Sequence, residues 1–294
     1  MTTFTLRRAV DGLAVSDRTL SSLIVTANEI VANGKVGFTM SDPVNCPAFN
    51  CVVIGAYGGI GRAACKEIQE AGGKAFLVGR DEEKLAELAS HYGWGYCVAD
   101  ATDWDAMERA AVAADDALGG YCSVVHLAGS VLLKPIHLTS RNEWESVMAT
   151  NLTSAAGVLR AFVPRFKAGG SVVLMSSSAA SIGLSNHEAI AAAKCGIEGL
   201  VRSAAMTYAG KRVRINAIAP GLVQTPLTQR VWGNPRSAEV SLGMHPLGRF
   251  GEGADIARGI VFLAHPMNDW ITGQVLQIDG GLGSLKPMPA PARS

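Results

Sequence analysis

No apolar stretch in this sequence reaches the roughly 18 residues that a membrane-crossing helix requires, so no helical span is expected. Nor is there a block of five or more like charges. The 26 basic and 25 acidic residues are mixed along the chain and leave a formal net charge of +1. Nucleic acid and acidic membrane surfaces, which attract concentrated positive charge, are therefore not expected partners; a small molecule or another protein is. The six cysteines, Cys46, Cys51, Cys65, Cys97, Cys122 and Cys195, form no C-x-x-C pair and no His/Cys cluster at zinc spacing. That argues against a disulfide or metal framework and for a reducing compartment. The first residues lack a signal peptide's apolar stretch and small-residue cleavage site. Arg7, Arg8 and Arg18 give them a trace of transit-peptide character, but Asp11, Asp17 and Glu29 count against it, and a cytoplasmic location is expected.

What the chain does have is apolar bulk. With 48% hydrophobic and 17% charged residues among 294, it is long enough to bury a large core as one α/β domain with a modest extension. The organisation changes near residue 45. Before it, Leu20, Leu23, Ile24, Ala27 and Val31 recur at helical spacing, with Ser16 or Asp17 as N-cap and Gly34 just past the end. Residues 1–44 thus read as an extension with one amphipathic helix, the Pro43 to Pro47 stretch as its linker, residues 45–285 as the main domain and 286–294 as a tail. The apolar stripe of that helix has to cover either the main domain or a second subunit.

From residue 50 onward, short apolar strands alternate with helical patterns, the signature of parallel βαβ units. Strands are predicted at 50–55, 75–78, 95–98, 123–127, 171–176, 214–218 and 275–278, several of them apolar throughout, as strands covered on both faces should be. The expectation is a Rossmann-type doubly wound parallel sheet of about seven strands, with its ligand outside the carboxyl ends where the winding reverses.

A glycine-rich run stands at that place. After Cys51-Val52-Val53-Ile54 comes Gly55-Ala56-Tyr57-Gly58-Gly59-Ile60-Gly61, then a helix from about Arg62. Glycines there let the backbone turn tightly and approach a pyrophosphate, whose charge a helix N-terminus stabilises. A plain turn has similar composition; the strand before and the helix after favour the phosphate reading. The second strand ends in Val78-Gly79-Arg80-Asp81. An acidic residue there would take the ribose 2′-hydroxyl of NAD(H), whereas an arginine beside a small residue favours the 2′-phosphate of NADP(H). Arg80 after Gly79 favours NADP(H). The bland alternative has Asp81 capping the helix over 82–90, with Arg80 in solvent.

Gly55-x-x-x-Gly59-Ile60-Gly61, Val98-Ala99-Asp100, Leu127-Ala128-Gly129, Asn151-Leu152, Ser176-Ser177, Lys194, Pro220-Gly221 and Thr225 follow one another at spacings that resemble the short-chain dehydrogenases/reductases. The likeness runs from about residue 50 to 283. Its last part, Pro246 to Gly251 and then Ile271 to Gly281, is most similar to 3-oxoacyl carrier-protein reductases. The resemblance implies that Gly55, Tyr57, Gly59, Ile60 and Gly61 cradle the dinucleotide and that Asp100 and Ala101 lie at the adenine. It implies that Ala128 and Gly129 line the ribose, that Lys194 holds it, and that Pro220, Gly221, Val223 and Thr225 flank the nicotinamide. It also implies a homo-oligomer, a dimer or tetramer, and catalysis by hydride transfer with a side chain protonating the developing oxyanion. Singly, Asp100 as a helix cap and Thr225 as a turn residue are the simpler readings.

Three of the implied catalytic positions match: Ser177 to polarise a carbonyl, Lys194, and Asn151 to support a water relay. The fourth does not. The tyrosine expected four residues before Lys194 is Ile190, which cannot transfer a proton, and none of Tyr57, Tyr92, Tyr96, Tyr121 and Tyr208 is well placed. His187, seven residues before Lys194, returns to the same helix face after about two turns and is a candidate acid. Against that, Ser185-Asn186-His187-Glu188 reads as a capping box that leaves His187 a first-turn surface residue. Three functions follow: an NADP(H)-dependent carbonyl reductase with an atypical proton donor, a reductase of a conjugated C=C bond, or a cofactor-binding subunit without catalysis. Residues 226–245, with Leu227, Val231, Trp232, Leu242 and Met244, read as the apolar lip over the substrate.

Overall fold

The computed structural model describes residues 49–286. The helix read over 20–31, the linker and residues 287–294 of the tail lie outside the described residues. Seven strands form one parallel sheet: β1 (Asn50–Ile54), β2 (Lys74–Gly79), β3 (Tyr96–Val98), β4 (Ser123–His126), β5 (Gly170–Met175), β6 (Val213–Pro220) and β7 (Val275–Ile278). Their spatial order is β3-β2-β1-β4-β5-β6-β7, so the chain winds outward from β1 and then restarts at β4 on its other side. Cys51 pairs with Ala75 on one flank and Ser123 on the other. Each predicted strand lies within two residues of its observed bounds.

Buried β-branched runs explain the sheet, because alternate side chains feed two separate cores. Val52, Ile54, Val124, Val172 and Leu174 face one helical layer. It is built by α3 (Trp104–Leu118), α5 (Ser154–Phe162) and α6 (Glu188–Tyr208) through Met107, Ala114, Val158, Phe162, Ile197 and Val201. Cys51, Val53, Leu77, Val125 and Val173 face the other, built by α1 (Gly59–Glu70), α2 (Glu82–Tyr92) and α9 (Gly253–Ala264) through Ile68, Leu85, Ile256 and Leu263.

Helix starts are set by side-chain caps. Asp81 accepts from Lys84 N at 3.1 Å to open α2, Asp103 accepts from Ala106 N at 3.0 Å to open α3, and Ser140 with Glu143 forms a capping box on α4 (Arg141–Met148). Between α4 and α5 the helix widens into a π turn, Ala149–Thr153. The lip comprises the short helices α7 (Gln229–Trp232) and α8 (Pro235–Gly243).

Candidate active site

Outside the carboxyl ends of β1, β2 and β4, at the point of winding reversal, lies a groove of about 310 Å³. Eleven of the predicted cofactor residues line it together: Gly55, Tyr57, Gly59, Ile60, Gly61, Arg80, Asp100, Ala101, Ala128, Gly129 and Thr225. Thr150 and Leu227 line it as well. The loop follows the backbone's needs. A Cβ at Gly61 would fall 2.4 Å from the carbonyl oxygens of Gly55 and Ala56, so only glycine lets α1 begin this close to the strand. Unlike α2 and α3, α1 has no side-chain cap and no acidic residue in its first turn, which leaves its N-terminal N–H groups for an anion.

At the adenine-side end, Arg80 forms an ion pair with Asp100 at 3.6 Å, joining the ends of β2 and β3. Burial raises the pKa of Asp100, but hydrogen bonds from Thr102 and the charge of Arg80 outweigh it and hold the carboxyl below its ordinary value. Asp100 does not cap the next helix; Asp103 does. Asp81 caps α2 and pairs with Lys84, as the bland reading had it, yet Arg80 stands at the groove with its acidic partner. Lys84 adds a second base that sequence reasoning missed: its Nζ lies 5.6 Å from the Tyr57 ring centroid, and that ring packs on Gly79. Its spacing of three from the capping Asp81 was the available signal.

Gly129, on the groove wall, lies close to two predicted catalytic groups, although Asn151, Ser177, His187 and Lys194 are not among the residues that line the groove. A methyl at Gly129 would fall 3.1 Å from Asn151 Oδ1 and 3.9 Å from Lys194 Nζ. Asn151 sits in the π turn, 1% exposed; its amide donates to Val147 O and Ser130 Oγ, each at 3.0 Å, and its Oδ1 accepts from Ser130 N at 3.2 Å. Nothing in the sequence marks a π turn, although such turns recur at functional sites. Lys194 Nζ donates to Met175 O at 2.8 Å at the end of β5, and burial lowers its pKa from 10.5 to about 8. Ser177 follows that strand. Its Oγ accepts from Ala179 N at 3.2 Å, leaving its own proton free, whereas Ser176 donates to Glu198 and Ser178 donates to Asp279.

Ile190 is buried at 5% exposure on α6. Tyr121 cannot stand in for a tyrosine there, being buried beside Phe162 and donating to its carbonyl at 3.1 Å. His187 departs from the capping-box expectation. Asn186 takes a left-handed φ of 64°, α6 starts at Glu188, and His187 itself is the N-cap residue. Its Nδ1 lies 2.7 Å from Ser185 O, so that nitrogen donates to its own loop. Pro220, Gly221 and Val223 do not line the groove. Gly221 and Val223 border a separate cavity of about 140 Å³ with His245 and Asp279. His245 accepts from Leu222 N at 3.1 Å and anchors the lip there, while Trp232 ties it to Thr225 O at 3.0 Å.

This groove, sheet order and glycine turn define a Rossmann-type dinucleotide-binding oxidoreductase fold. A family model described as enoyl-(acyl carrier protein) reductase matches residues 55–283. The galactitol 2-dehydrogenase (L-tagatose-forming) of Cereibacter sphaeroides is 34% identical, covering 78% of this chain and 92% of that protein. The 3-oxoacyl-[acyl-carrier-protein] reductase of Thermotoga maritima is 30% identical over 79% of this chain and 96% of its own length. A solved short-chain dehydrogenase/reductase from Mycobacterium ulcerans superposes with a TM-score of 0.76 at 29% identity, covering 80% of this chain and 89% of that one. The chain belongs to the short-chain dehydrogenase/reductase family.

Proposed function

We propose that this protein is an NADP(H)-dependent reductase of a ketone or 3-oxoacyl-like carbonyl, its proton delivered through water held between Asn151 and Lys194. The closeness of groove-lining Gly129 to those two side chains carries the reading. The residues present fit a nicotinamide dinucleotide: the uncapped start of α1 suits its pyrophosphate, and Gly61 lets that helix begin hard against the strand end. Bound there, the dinucleotide supplies hydride from its nicotinamide ring. Ser177 donates its free proton as a hydrogen bond to the substrate oxygen and so stabilises developing charge. Lys194, with a pKa of about 8, holds a proton at neutral pH and yields it readily to a bridging water. Arg80 on the groove wall supplies positive charge for a 2′-phosphate, with Lys84 behind the Tyr57 ring, which supports NADP(H) over NAD(H).

The relatives named for alcohol and 3-oxoacyl chemistry support carbonyl reduction. The description of the matching family model favours a second reading, reduction of a conjugated C=C bond, in which solvent can supply the proton. A homo-oligomer and a cytoplasmic location complete the proposal. The test is cofactor fluorescence with NADPH and NADH, then oxidation of NADPH against ketones, 3-oxoacyl thioesters and enones. Turnover of carbonyls, with His187→Ala retaining most of it, is expected. Turnover of enones alone selects the second reading, and tight binding with no turnover on the whole panel selects the non-catalytic one. Loss of carbonyl turnover in His187→Ala would reassign the proton to histidine.

A further inference from the structure

His126 closes β4 with its ring 2% exposed, and it plays no part in the steps above. Its Nε2 lies 2.9 Å from Ser154 Oγ, which in turn lies 2.6 Å from the carbonyl oxygen of Thr150. A carbonyl only accepts, so the single hydroxyl proton of Ser154 points to Thr150 and the shared proton of the other contact belongs to His126 Nε2. That bond fixes a proton on Nε2, and full burial keeps the ring neutral. Its Nδ1 keeps a bare lone pair, buried and unpartnered among the described residues. Burial first, and the charge of Lys194 second, lower the imidazole pKa to about 3, so the direction of this chain of bonds does not reverse at working pH.

The bonds end on the π turn. Thr150 lines the groove and Asn151 follows it, inside a backbone stretch that departs from α-helical hydrogen bonding. Ser154 opens α5 just past the turn. The sheet thus grips the turn at Thr150, the residue before Asn151.

We propose that His126 is a positioning residue of the active site, which fixes the π turn through Ser154 and Thr150 and so sets Asn151 against Lys194. Its kinetic consequence rests on the reductase reading; its structural consequence does not. The closest isosteres separate hydrogen bonding from packing. Glutamine places an amide N–H where Nε2 stands, and methionine fills similar space with no donor.

The experiment uses the full chain. Nitrogen-15 spectra of the histidine rings should show His126 as the Nε2–H tautomer, unchanged between about pH 5 and 9; a Nδ1–H form or a midpoint near the ordinary 6.5 overturns the proposal. Amide exchange over residues 149–153 should quicken roughly tenfold in His126→Met and stay near wild type in His126→Gln. On the best carbonyl substrate, kcat should fall about tenfold or more in His126→Met with the KM for NADPH little changed, and recover in His126→Gln. Equal losses in the two variants would mean that the ring acts by packing alone. Should His126→Met not fold, Ser154→Ala cuts the same link with a smaller change, and unchanged exchange there overturns the proposal. If the wild type turns nothing over, the reductase reading fails while tautomer and exchange still decide this one.

Discussion

The two walls of the candidate site are made differently. The wall from β1 to β3 is backbone: glycines that admit no Cβ, an uncapped helix start, and one ion pair between neighbouring strand ends. The wall from β4 to α6 lies beyond the residues that line the groove and is side chain: Asn151 in a π turn, a buried Lys194, Ser177, and aliphatic Ile190 where the family resemblance calls for tyrosine. A backbone site admits little variation, since any added atom collides with the main chain. A side-chain site can lose one group and keep its shape. That contrast lets the sequence keep the family's glycine loop while placing isoleucine at residue 190.

The hardest break is to the first wall. Gly61→Val places atoms onto the Gly55 and Ala56 carbonyls, and titration should show NADPH affinity falling at least about a hundredfold, with any turnover lost in step. On the second wall, Lys194 makes a prediction about stability. The folded pKa of about 8 lies below the ordinary 10.5, so between those values the unfolded chain binds the proton more tightly and stability rises with pH. Below about 8 both states are protonated and the cost is constant, on the order of 3 kcal/mol. Urea unfolding across that window should rise more steeply for the wild type than for Lys194→Met.

Ile190→Tyr sharpens the contrast in the opposite direction. If the pocket lacks only its acid, carbonyl turnover should rise about tenfold or more; no gain in steady-state rates would show that the pocket around the substrate has changed too. The smallest effect belongs to Arg80. Arg80→Ala removes the charge proposed to meet a 2′-phosphate, and the ratio of NADPH to NADH affinity should drop several-fold to tenfold.

Strand positions were legible because a strand buried on both faces must be an apolar, β-branched run, and Cys51-Val52-Val53-Ile54 has few other uses. The glycine loop was legible for the same backbone reason. What escaped reading was settled by contacts distant in sequence. The capping box at Ser185 loses to the left-handed Asn186, whose carbonyl accepts from Lys134 N at 2.8 Å across a gap between loops. Arg80 and Asp100 meet only because β2 lies beside β3. The π turn has no residue pattern, so neither Asn151's seat nor the hydrogen bonds from His126 through Ser154 to Thr150 could be foreseen.

The order of the strands has a consequence for how the protein comes into being. During synthesis β1, β2 and β3 emerge first, yet the strand that completes the floor of the groove, β4, arrives only after α3, and Thr225 follows β6. Until then β1 presents an unpaired parallel edge, and such non-local pairings close slowly. No fragment that ends before β6 contains the whole wall, so the dinucleotide meets a binding site only when the sheet is essentially assembled. From that moment it favours the finished fold over every partial one, in proportion to the logarithm of its concentration. The metabolite pool in which the ribosome works would then help decide how many of these chains survive to maturity.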